Sequence, residues 1–144
     1  KADAYISQEL YENYKTKFAY PKRGQILISA AGTIGKAVIY DGEPAYFQDS
    51  NIVWVDTNKN KILDRFLFFV YQTIEWKKEV GTSGGIIERI YNENLRQLKI
   101  PLPPLSEQEK IIACIESIES KISALDSTLP ALERTKSQIL QKYL

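Results

Sequence analysis

Three prolines within four positions, Pro101, Pro103 and Pro104, constrain this chain more than any other feature. Each ring holds its own φ near −65° and drives the preceding residue out of the helical region, so the chain must run extended here. Directly afterwards Ser106 offers an N-cap, and Glu109, three residues on, completes a capping box. Apolar residues then recur at Ile111, Ile115, Ile118, Ile122, Leu125, Leu129, Leu132, Ile139 and Tyr143, interrupted only at Lys136, which keeps the register. Alternating steps of four and three predict a long helix packed lengthwise on a second helix, as in a coiled coil. The sequence thus divides into a head over 1–104 and a helical rod over 105–144. Pro130 interrupts the rod at a cost of about 3 kcal/mol, which predicts a kink or short break near Thr128.

The head reads as mixed, largely antiparallel α+β. Residues 7–18, with Leu10, Tyr14 and Phe18 four apart, suit a short helix carrying an aromatic stripe. Gln25 to Ser29 and Lys36 to Tyr40 are aliphatic and β-branched, as strands are, with a small-residue turn at 30–35 between them. Asp41-Gly42 signals a hairpin turn. Tyr46-Phe47 and Asn51 to Val55 supply further strand material, followed by a polar loop. Ile62 to Val80 is too long and apolar for a strand and predicts one buried helix. A short strand from Ile86 to Tyr91 and a brief helix capped by Asn92 complete the head.

Composition removes several functions. Histidine is absent, which takes away the usual general base, the usual zinc ligand and every Ser-His triad. A single cysteine, Cys114, excludes an internal disulfide and fits a reducing compartment such as the cytoplasm, with a buried or half-buried structural thiol expected beside the rod's seam in preference to a nucleophile. No run approaches 18 apolar residues, so a membrane span is not expected. The net charge is +1, which argues against a nonspecific DNA coater but leaves room for a local basic face. The carboxylates show neither acid/base pairing nor metal-ligand spacing, so neither a cofactor nor a metal is expected.

Gly32-Thr-Ile-Gly-Lys36 follows a strand as a phosphate loop would. Ala30 and Ala37, however, stand where that motif needs its first glycine and its metal-binding hydroxyl. Two readings remain: a plain tight turn, or a turn that approaches a DNA backbone through its amides and Lys36. Gln48-Asp-Ser-Asn51 is either a capped bulge or a base-reading edge, since Gln48 and Asn51 suit adenine and Ser50 suits either base. Gly81-Thr-Ser-Gly-Gly85 is either a connection or a groove contact through Thr82 and Ser83. Lys77 and Lys78 before it and Arg89 after it would then neutralise phosphates. Arg89 has two further readings, a guanine contact and simple neutralisation by Glu88.

Several segments resemble one family. Ile-Pro-Leu-Pro-Pro-Leu-Ser-Glu-Gln-Glu-Lys-Ile at 100–111 is similar to the junction between recognition domain and conserved helix in specificity subunits of type I restriction-modification systems. Gly24-Gln-Ile-Leu-Ile-Ser29 with Gly32-Thr-Ile-Gly-Lys36, and Tyr46-Phe-Gln-Asp-Ser-Asn-Ile-Val-Trp-Val55, resemble that family's central strand, turn and following strand in the same order. The resemblance implies a non-catalytic target recognition domain followed by one spacer helix. Such a chain reads one half of a bipartite site in double-stranded DNA, with modification (methyltransferase) and restriction subunits as partners. It also implies a second spacer helix to pair with, from the same subunit or another copy. Further strands usually precede a stretch like Tyr5 to Leu10 in the family, so the chain is expected to begin inside its domain. The reading from another class is a protein-interaction module acting through its C-terminal helix.

Overall fold

The computed structural model describes residues 5–47, 50–80 and 89–143. The chain forms two compact units, Lys1–Leu105 and Ser106–Leu144. In the first, the described elements run α1 (Gln8–Lys17), β1 (Ile26–Ser29), β2 (Ala37–Ile39), β3 (Ile52–Val55), α2 (Asp64–Thr73), α3 (Trp76–Val80) and α4 (Asn92–Gln97). The second is the body of α5 (Leu105–Tyr143). The fold is α+β, with an antiparallel sheet.

The sheet has the order β2-β1-β3. Leu27 stands opposite Val38 on one side and Trp54 on the other, and Ser29 opposite Ile52. Ile26 and Ile28 on the alternate face are almost wholly buried, with Phe66, Leu67, Phe69 and Tyr71 of α2 in the same core. The bulk of each side chain supplies about 1.5–3 kcal/mol of burial, which is what holds so small a sheet. Gln25 is buried but satisfied: its Nε2 donates to Asp56 Oδ1 (2.9 Å) and its Oε1 accepts from Lys22 N (2.7 Å).

Several expectations change. The Asp41-Gly42 turn forms, with Asp41 Oδ1 accepting from Glu43 N at 2.9 Å, but it does not make a hairpin. The next strand joins the opposite edge of β1 instead. Tyr46 and Phe47 are not in a strand, because their rings pack on α1: Tyr14 meets Tyr46 and Tyr11 meets Phe47, each at 6.1 Å. The packed stripe of α1 therefore includes Tyr11 beside Tyr14, and Phe18 meets Tyr14 edge-on at 5.8 Å while remaining partly exposed, as Leu10 is. Ile62 to Val80 is two helices. Ile74 leaves the helical region (ψ 129°), and the turn lets Trp76 fold back so that its Nε1 donates to Tyr71 O at 3.1 Å.

Of the expected strand 86–91, residues 86–88 lie outside the described residues, and 89–91 are not in a strand. The N-cap of α4 is Tyr91 instead of Asn92, with Asn94 Oδ1 accepting from Tyr91 N at 2.8 Å.

α5 begins at Leu105, immediately after Pro104, so Ser106 stands inside its first turn instead of capping it. It continues through Pro130 without a break. Just before the proline, Ser127 and Thr128 hydroxyls donate to the carbonyls of Ala124 and Leu125 (both 2.7 Å). Beyond it, Arg134 Nε donates to Pro130 O at 3.2 Å. Cys114 is exposed, one position off the seam.

Candidate nucleic-acid interface

The end of the sheet at Ser29 gathers most of the described candidate residues. Gly35 N–H donates to Ser29 O (2.9 Å), Ser29 N–H to Lys36 O (2.9 Å) and Lys36 N–H to Ser29 Oγ (3.0 Å), while the Ser29 hydroxyl donates to Thr33 O. The turn is thus held by one serine from several directions, and Lys36 is left exposed at its mouth. Gly35 takes φ +79° with the Trp76 indole lying directly on it. Trp76 begins α3, so this contact fixes Lys77 and Lys78 beside the Lys36 turn. Lys78 also pairs with Glu75 (2.5 Å) on the surface. Behind Trp76, Tyr71 meets the indole edge-on at 5.4 Å, and burial pushes its phenol up to about 12.

On the neighbouring edge, Ala30 N–H donates to Asn51 O (2.7 Å) and Ile90 N–H to Ala30 O (2.8 Å). Arg89 Nη2 donates to Ser50 O and stands 3.5 Å from Asn51 Oδ1. Ser50, Asn51 and Arg89 therefore form one cluster, beside an open cleft that Ile52 and Tyr91 also line. Gln48, Thr82 and Ser83 lie outside the described residues.

Three contributors escaped the sequence: Ser29 as the turn's anchor, Trp76 as the link between turn and α3, and the carbonyl of Ser50 as the acceptor for Arg89. A small residue before an exposed lysine was the only local signal for the second. The other two depend on partners far along the chain or across a turn.

In chemical terms this end of the sheet offers cations, amides and amide side chains. Among the described residues no group of three or more His, Cys, Asp or Glu could hold a metal ion. No helix among them is long and apolar enough to cross a membrane. The second unit presents a separate surface. Ile111 and Ile115 are half-buried, whereas Ile118, Ile122, Leu125, Leu129, Leu132 and Ile139 are 51–66% exposed in one stripe.

Residues 2–134 match the family described as the type I restriction modification DNA specificity domain. A Haemophilus influenzae protein named as a type I restriction enzyme specificity subunit is 46% identical over 139 residues, which is 96% of this chain and 35% of that protein. The type I restriction enzyme EcoBI specificity subunit of Escherichia coli is 27% identical over 96% of this chain and 27% of its own length. A chain from a solved structure of a type I R-M system superposes with a TM-score of 0.65 at 23% identity, covering 85% of this chain and 30% of that one. The chain thus spans about a third of the length of these relatives.

Proposed function

We propose, from the fact that this chain belongs to the family of type I restriction modification DNA specificity domains, that it reads one half of a bipartite target in double-stranded DNA. The observation that carries this reading is the grouping of Lys36, Ser50, Asn51, Lys77 and Lys78 around one end of the sheet. Lysines there suit phosphate contacts that set orientation, and Ser50 and Asn51 suit base edges that carry sequence. Gln48, Thr82 and Ser83 are further DNA contacts in this reading. Residues 1–104 are the recognition domain and 105–144 the spacer helix, whose apolar stripe pairs with a second such helix. The chain has no catalysis of its own. Methyl transfer and cleavage belong to modification and restriction subunits assembled around it in the cytoplasm.

The test is selection of bound duplexes from a random library at moderate salt, with and without the cognate modification subunit. Recovery of a short defined motif is the expected result, and dependence on the partner would show that assembly supplies affinity. No enrichment in either condition would overturn the reading and leave the helix as the working part, as in a protein-interaction module.

A further inference from the structure

Arg89 turns its guanidinium onto the protein's own chain. Its Nη2 donates to the Ser50 carbonyl and lies 3.5 Å from Asn51 Oδ1. The same stretches are tied by backbone bonds, Ile90 N–H to Ala30 O at 2.8 Å and Ala30 N–H to Asn51 O at 2.7 Å. A ring results: 89–90 holds the end of β1, the end of β1 holds Asn51, and the Arg89 side chain closes back on Ser50. Ile90 and Ala30 are buried and anchor one side. The Ser50 and Asn51 oxygens are both approached by one nitrogen, Nη2, whose two hydrogens lie fixed in the guanidinium plane, unlike those of an ammonium on a flexible stem.

We propose that Arg89 is a positioning residue that braces the Ser50–Asn51 corner for base reading, instead of contacting phosphate or guanine itself. The inference rests on the DNA-reading function proposed above, and its test has one arm that does not involve DNA. In the DNA-free chain, amide hydrogen exchange is compared for the wild type, Arg89→Lys and Arg89→Ala. The Ala30 and Ile90 amides should exchange about tenfold faster in both variants, while the amides of Ile26 and Ile28 stay protected, as local opening without global unfolding requires. Unchanged rates at Ala30 and Ile90 would overturn the brace.

The second arm measures discrimination between selected and random duplexes against salt. Both variants should lose about tenfold in discrimination, equivalent to one poorly read base pair, with the salt slope of the wild type. A slope reduced by about 0.9 in Arg89→Ala but kept in Arg89→Lys would make Arg89 a phosphate contact. A loss confined to one G·C position, additive with that of Asn51→Ala, would make it a guanine reader. Either result overturns the proposal. If the wild type itself fails to discriminate, the DNA-reading function falls, while the exchange arm still decides whether Arg89 braces the corner.

Discussion

A methyl group added at Gly35 would sit 2.0 Å from Cδ1 of Trp76, on a backbone held at φ +79°. Overpacking costs about 1–3 kcal/mol and the left-handed conformation about 1–2 more for a residue with a Cβ. Trp76 cannot yield easily, since it is buried and its Nε1 is committed to Tyr71 O. Gly35→Ala is therefore expected to lose about 2–5 kcal/mol, read as a lower urea midpoint at unchanged slope. Tyr71 gives a second expectation at this scale. Burial raises its pKa from the usual 10 to about 12, so the unfolded chain releases the phenolic proton first. Its contribution is complete below pH 10 and is lost between pH 10 and 12, by up to about 3 kcal/mol. Urea unfolding of wild type and Tyr71→Phe at pH 9 and pH 11.5 checks it: the wild type should lose more stability over that interval than the variant.

At the level of elements, what could be read from the sequence was local. Spacing of three and four placed α1 and α5, and β-branched runs placed β1, β2 and the core of β3. What could not be read was decided by contacts distant in sequence. Apolar density over 62–80 signals burial, but the break at Ile74 serves a tryptophan that seats on a glycine about forty residues earlier. Tyr46 and Phe47 look like strand residues until α1 offers them rings to pack on. The site divides similarly. Residue types suited to DNA were visible in order, while the bond from Arg89 to Ser50 spans 39 positions and leaves no periodic trace. Pro130 is the converse case, a strong local signal for a kink or a break at which no break forms. The helix runs through it with its amide missing, and side chains bond the carbonyls on either side. Restoring the amide in Pro130→Ala should raise the midpoint of thermal loss of helical ellipticity, in line with the roughly 3 kcal/mol by which proline disfavours a helix interior.

For the whole molecule, the second unit poses the clearer physical problem. α5 has 39 residues, about 58 Å at 1.5 Å each, and its large apolar side chains from Ile118 to Tyr143 are about half or more exposed. A helix draws most of its stability from packing an apolar face, and a contiguous apolar stripe of this length is a docking surface in water. Steps of four and three match a partner helix lying alongside, since they keep the stripe facing one neighbour over many turns. Replacing Ile118 and Ile122 together by Asp would place two carboxylates in the proposed contact, where desolvation opposes them. The head has its own core in a separate compact unit and should not feel the change. The expected outcome is loss of self-association or of subunit assembly in light scattering, with the near-ultraviolet signal of the head's aromatic residues intact. An unchanged mass would mean that the stripe is not the pairing surface. A lost aromatic signal would mean that the head depends on the helix for its fold, contrary to the division into two units.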